Sequence, residues 1–250
     1  MKNVGKIIAV ASGKGGTGKT TTVAAVSSCI AALGYRTLCI DFDAGMRNLD
    51  LALCMSDYTV ADFLDVQNGR MGLMEACHEH PRIQNLFFLS APAVYEERDA
   101  DTAMVQPIFD EARNNFDYCF ADSPSGIGEG FKLTHSGADM SIIVTNGELP
   151  AMRDAQRAAD AARKLGVSEL RLLVNRVLPE NLKKLQITID IVIDSVSVQL
   201  LGIIREDISV LLSLHENTPL VLYEKRRAAF DFLDAARRLT GENIPLRIKR

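Results

Sequence analysis

Gly13, Gly18, Lys19 and Thr20 satisfy the spacing GxxxxGK[ST] within the run IIAVASGKGGTGKTTT, residues 7–22. An apolar run leads into the loop and a helical pattern leaves it, which is the context that spacing requires. Glycines at 13, 15, 16 and 18 allow positive φ and add no Cβ, so the N–H groups of Gly13 to Thr21 can converge on phosphate oxygens. The N-terminus of the helix that follows adds partial positive charge. Lys19 is expected to reach the β- and γ-phosphates, and Thr20 to place its hydroxyl on Mg²⁺. Nucleoside triphosphate binding follows, with ATP and Mg²⁺ as the expected pair.

A second lysine, Lys14, stands between Gly13 and Gly15. One cation from the loop already serves the phosphates. A second, early in the loop, is better placed to cross an interface and neutralise charge on a partner's nucleotide, as an arginine finger does. The alternative from spacing alone is a solvated surface lysine.

Three carboxylates lie downstream. Asp41 and Asp43 fall in DFDAGMRNLD, and Asp122 in YCFADSPSG. Each ends or follows an apolar run. In an open parallel sheet, ligands bind outside the carboxyl ends of the strands, so all three should face the phosphate loop. Asp43 is expected to position the attacking water, and Asp41 and Asp122 to orient Mg²⁺ or its waters. Gly126 could bring a backbone N–H near the γ-phosphate, making Ser123, Pro124 and Gly126 part of a sensor loop. Helix capping is the other use for such aspartates.

These residues need a scaffold. Short apolar runs at 6–11, 37–41, 86–89, 118–122, 140–145, 170–174 and 198–204 read as strands buried on both faces. Helical patterns occupy 20–33, 99–115, 150–165, 206–214 and 224–239. The segment 186–199 alternates polar and apolar residues as a strand does, yet Thr188 could cap a short helix, and helix is the preferred reading. Strand and helix in alternation predict an α/β fold, a doubly wound and mostly parallel sheet with helices on both faces. The whole of 1–250 reads as one domain, with 242–250 a short basic tail.

The blocks SGKGGTGKTT, DFDAGMRNLDLAL, DSPSGI, VTNGELPAMRDAQR and VQLLGIIRED resemble the deviant Walker A ATPases of the ParA/MinD family, and within it the MinD type. They follow the family's order over nearly the whole chain. RNLD after DFD points to the MinD type rather than to plasmid-partition relatives. The resemblance implies a P-loop ATPase that forms a homodimer on ATP and is released by hydrolysis, with catalytic Lys14 acting across the interface beside Lys19 and Asp43. It implies that Asn175, Arg205, Glu206 and Asp207 lie near the adenine, and that Arg47, Asn48 and Asp50 belong to a switch region answering an activator. A protein activator or cargo is expected, a division inhibitor or topological factor, in cell-division site selection. The alternative is a related positioning ATPase for flagella, pili or chromosome segregation.

Departures from the family's pattern are Thr17 for its usual Val and Arg205 for its usual Pro at the adenine loop. The third is the tail, ENIPLRIKR, which is too short for the interfacial helix such proteins carry, so membrane association is not expected from it. Residues 221–250 hold eight basic side chains (Lys225, Arg226, Arg227, Arg237, Arg238, Arg247, Lys249, Arg250) against four acidic ones. That patch either meets anionic lipid or is a solvated helix face with a frayed end.

Composition narrows the rest. A net charge of −4 argues against DNA as a partner. Five scattered cysteines without a CxxC fit reduced thiols and exclude a cluster site of that kind. The expected location is the cytoplasm, with a peripheral place on the inner face of the cell membrane as the alternative.

Overall fold

Each apolar run becomes a strand of one sheet in the computed structural model, which describes residues 4–44, 46–58, 61–93, 102–223 and 227–247. The elements are β1 (Lys6–Ala11), α1 (Lys19–Ala32), β2 (Thr37–Asp41), α2 (Leu49–Leu53), α3 (Phe63–Gln67), α4 (Leu73–Ala76), β3 (His78–Glu79), β4 (Leu86–Leu89), α5 (Thr102–Asn115), β5 (Tyr118–Asp122) and α6 (Glu129–His135). Then follow β6 (Met140–Thr145), α7 (Leu149–Lys164), β7 (Glu169–Val177), α8 (Pro179–Leu185), α9 (Ile189–Val196), β8 (Leu200–Arg205), α10 (Ser209–His215) and α11 (Arg227–Leu239).

Among the described residues the eight strands run in the order β3-β4-β2-β5-β1-β6-β7-β8. Only the β3–β4 pair is antiparallel. Strand β1 shows why both faces are covered. Ile8 and Val10 pack with Val26 of α1 and Phe232 of α11, Ile7 packs with Ile108 and Phe109 of α5, and Ala11 packs with Met152 and Ala155 of α7. The period of two in the strand thus meets helices on either side, which fixes register. The chain leaves β1 toward β2 on one side and reaches β6 on the other, so the sheet's topological switch lies at the end of β1.

Segment 186–199 carries helix α9, with Thr188 at its N-cap accepting a bond from the Ile191 N–H. The expected helix over 206–214 begins later, at Ser209, because Glu206 and Asp207 belong to a loop that the Asp207 carboxylate organises. Residues 99–101 and 224–226 of two expected helices lie outside the described residues.

Three cations of the basic segment have partners. Arg237 pairs with Glu242 at 2.6 Å. Arg238 donates to the carbonyls of Ile244, Pro245 and Leu201 at 2.8, 2.9 and 3.1 Å, and Arg247 pairs with the buried Asp234. These contacts hold residues 242–247 against α11 and the edge strand β8, with Arg237 and Arg247 still partly open to solvent. Lys225, Arg226, Lys249 and Arg250 lie outside the described residues. No helix among the described residues is long and apolar enough to cross a membrane.

Candidate functional site

Between β1 and α1 the loop turns at Gly16 and Gly18, with φ of +80° and +93°. Ser12 Oγ donates to the Lys14 carbonyl at 2.8 Å, drawing the loop's first half closed. Two glycines are required by close approach. A Cβ at Gly13 would lie 2.2 Å from the Asp154 carbonyl of α7, and one at Gly18 would lie 2.2 Å from Asn175 Nδ2. The two lysines part company here. Lys19 is buried, at 7% exposure. Lys14 turns outward, its Nζ 3.2 Å from Glu148 Oε2, with both side chains about half exposed.

The carboxylates meet at the C-terminal edge of the sheet. Asp41 and Asp122 are register partners on β2 and β5, and both are 1% exposed. Asp41 Oδ1 accepts the Asp43 N–H at 2.8 Å and Oδ2 the Leu49 N–H at 3.3 Å, so its carboxylate holds the turn that carries Asp43 and the start of α2. Burial, and then the neighbouring Asp122, push its pKa up to about 8. Asp122 differs in having neither carboxyl oxygen within hydrogen-bonding geometry of any group. Burial raises its pKa to about 7. The Thr20 hydroxyl, close by though outside that geometry, and the Lys19 ammonium offset this only in part. Asp43 is half-buried, its pKa raised by burial and drawn back by Lys19.

Beyond the loop lies a cavity of about 300 Å³ between Gly16, Gly18 and Thr21 on one wall and Ile204 to Asp207 with Phe232 on the other. Asn175 stands at its floor, 5% exposed, and its Nδ2 donates to the Thr17 carbonyl at 2.9 Å. Arg205 lines the cavity and is tied to α11. Its backbone N–H, Nε and Nη2 all bond the carboxylate of Asp231 on α11, at 3.0, 2.8 and 2.7 Å. The departure at this position therefore anchors the loop to α11. Asp207 fastens the other end, accepting the N–H groups of Ser209 and Ala228. Asp231→Ala removes one partner of a nearly buried pair. A loss of about 2–4 kcal/mol is expected, a fall in melting temperature of roughly 5–15 °C for a chain of this size, measured by calorimetry.

The geometry adds two residues that the sequence reading did not name. Glu148 is one, through Lys14. Arg176 is the other. Pairing of β7 with β8 slips between Val174 and Val177, and Arg176 has φ +56°. Successive strand residues point to opposite faces, but this irregularity sends Asn175 and Arg176 both toward the loop, the latter 3.4 Å from the Gly16 carbonyl. Alternation in the sequence conceals such a bulge.

The residues expected in the switch region follow the ends of β2 and β5. Arg47, at φ +44°, donates to Ser90 Oγ at 3.1 Å. Asn48 stands at the N-cap of α2, and Asp50 accepts the Leu51 N–H at 2.6 Å. Ser123 is buried and bonded to Thr134 at 2.7 Å. Pro124 rests against Gly130, and Gly126 has φ +87°. Gly45 is outside the described residues.

The donor set fits a nucleotide with a hydrated divalent cation. A buried lysine, a helix N-terminus and the Thr20 hydroxyl stand beside an unpartnered buried carboxylate. No group of three or more His, Cys, Asp or Glu among the described residues could hold an ion by itself, so phosphate and water must complete its shell.

Comparison with known proteins gives the same picture. Residues 8–220 match the family of the CobQ/CobB/MinD/ParA nucleotide binding domain. The chain is 34% identical to the septum site-determining protein MinD of Bacillus subtilis over 249 residues, covering 98% of this chain and 92% of that one. It superposes on a chain of the MinC:MinD cell division protein complex of Aquifex aeolicus with a TM-score of 0.87, at 35% identity and 98% coverage of both chains. It superposes on the septum site-determining protein MinD of Pyrococcus horikoshii, solved with Mg-ADP, with a TM-score of 0.81, at 26% identity and 94% and 96% coverage. A chain so covered, with this loop, these strand ends and this sheet order, belongs to the MinD/ParA nucleotide-binding family and is, within it, a cell-division ATPase of the MinD type.

Proposed function

We propose that the chain binds ATP with Mg²⁺ on residues 13–20, pairs with a second copy while ATP is bound, and hydrolyses ATP to ADP and phosphate to time its hold on a division partner. The observation that carries this reading is the division of labour between the lysines. Lys19 is buried where phosphates would sit, whereas Lys14 is held at the surface by an exposed carboxylate. A phosphate site complete within one chain has no use for the second cation. A site shared by two chains does.

In this reading Thr20 holds Mg²⁺ through its hydroxyl, Asp122 holds the waters around it, and Asp41 steadies the turn beneath Asp43. The ion neutralises charge on the β- and γ-phosphates when bound. Asp43 accepts a hydrogen bond from the attacking water and aligns it, and Lys14 of the opposite chain meets charge on the transferred group. Asn175 and the loop of Arg205, Glu206 and Asp207 border the base. The partner is a protein: a relative of matching length was solved in complex with MinC, and a division inhibitor of that kind is the expected cargo.

Asp43→Ala separates these steps. It leaves the phosphate loop intact and removes the water's acceptor. With ATP and Mg²⁺, sedimentation should find the variant as a lasting dimer, its turnover at least about 100-fold below wild type, as for loss of a positioned acid–base group. A variant that stays monomeric in ATP, with wild type monomeric as well, refutes the shared site.

A further inference from the structure

We propose that Arg176 and Glu206 form a clasp over the base-and-ribose end of the nucleotide, and that this clasp sets how long a purine nucleoside diphosphate stays bound. The inference rests on reading the 300 Å³ cavity as the nucleotide site.

Arg176 Nε and Nη2 lie 3.0 and 3.2 Å from the two carboxylate oxygens of Glu206, and Nη1 lies 3.4 Å from the Gly16 carbonyl. One guanidinium therefore spans the cavity mouth, from the phosphate loop to the loop after β8. Its backbone is in the left-handed region, which a side chain with a Cβ enters at a cost. Such strain persists where surrounding contacts enforce it, and it gathers at ligand clamps. Here the strain is what turns Arg176 toward the loop beside Asn175.

The opposite wall is built to hold still while the clasp moves. Arg205 and Asp207, on either side of Glu206, are fastened to α10 and α11. Glu206 alone of the three projects to Arg176. The Arg176 and Glu206 side chains are 55% and 36% exposed, so solvent can part them. A guanidinium is flat, always charged, and able to hold a carboxylate in a fork while its face lies on an aromatic ring. Opening the mouth and admitting a base thus need only one side chain to swing. Glu148, the partner of Lys14, also acts on the Arg176 charge, which places the clasp beside the lysine that crosses to the second copy.

Release of radiolabelled ADP, chased with excess unlabelled ADP and followed by rapid filtration, tests this. Arg176→Ala and Arg176→Gly should each release ADP at least tenfold faster than wild type. The glycine variant relieves the backbone and guards against a folding artefact. Arg176→Lys and Glu206→Gln should fall between, since each keeps part of the bridge. Melting temperatures without nucleotide should stay within about 2 °C of wild type, as for other exposed substitutions. Release within twofold of wild type from both the alanine and glycine variants overturns the clasp while leaving the nucleotide site standing. Wild-type protein that retains no ADP overturns both.

Discussion

Lys14→Ala should abolish partner-stimulated ATP turnover, lowering it by about 10²–10³-fold, while ADP affinity changes less than about threefold. The size follows from what a cation supplied across an interface does for phosphoryl transfer, where an arginine finger contributes 10³–10⁵; a lysine, a point charge without the fork, is set lower. The small effect on ADP follows from position. Lys14 Nζ is paired with Glu148 at 3.2 Å and faces solvent, so its own chain's phosphates depend on Lys19 and on backbone N–H groups that the substitution leaves alone. The pair also decides whether Lys14 can be released. Both side chains are about half exposed, and exposed pairs are worth roughly 0–1 kcal/mol. A γ-phosphate on a second chain, desolvated between two protomers, outcompetes that easily. The measurement is steady-state phosphate release with and without the activating partner, beside equilibrium ADP binding. Loss of ADP binding in step with turnover would assign Lys14 to its own chain's phosphates and defeat the role across the interface.

What the sequence made legible follows from periodicity and from strand ends. Continuous short apolar runs such as Met140–Thr145, too short for a helix, read as strands covered on both sides, and the sheet bears this out with every residue buried. The carboxylates were legible because strand termini in such a sheet all open on one crevice, so Asp41 and Asp122 needed no contact map to be brought together. Short elements were not. Helices α2, α3 and α4 have five, five and four residues, too few to display a period of 3.6. Helix α3 is instead set by reciprocal capping between Asp62 and Asp65. The roles of Arg205 and Arg176 were hidden for a different reason. Arg205 is explained by Asp231, twenty-six positions away on α11, and Arg176 by a slip in strand pairing. Neither a long-range ion pair nor a bulge leaves a periodic trace. The pairing of Arg247 with Asp234, and of Arg238 with backbone carbonyls, was hidden for the same reason.

Asp122→Asn should stabilise the nucleotide-free protein and disable the enzyme. Both Asp122 oxygens are buried with no partner in good hydrogen-bonding geometry, a cost of about 1–3 kcal/mol for such a group and more when it is charged. The amide is nearly the same shape and cannot ionise, so it escapes the cost of the buried charge, and a gain of roughly 3–8 °C in melting temperature is expected at about pH 8. The pH dependence gives an independent signature. Asp122 and Asp41 have folded-state pKa values raised from 3.8 to about 7 and about 8. Between the unfolded and folded values the folded protein holds protons that the unfolded chain releases. Stability from these groups is therefore greatest below about pH 4 and falls as pH rises toward 8. Wild type without nucleotide should melt lower at pH 8 than at pH 6, and Asp122→Asn should reduce that slope. Mg²⁺ with nucleotide reverses the balance, because a cation beside the carboxylate favours its charged form. Ligand-induced stabilisation should then be large in wild type and small in the variant, with turnover at least about 100-fold lower. An unsatisfied buried group kept where a ligand would satisfy it is a stability cost with a functional use. Calorimetry across pH 5–8, with and without Mg²⁺ and nucleotide, measures both sides. If the variant melts below wild type without nucleotide, Asp122 is a structural carboxylate, and its orphaned oxygens have a partner in solution that is not the nucleotide's cation.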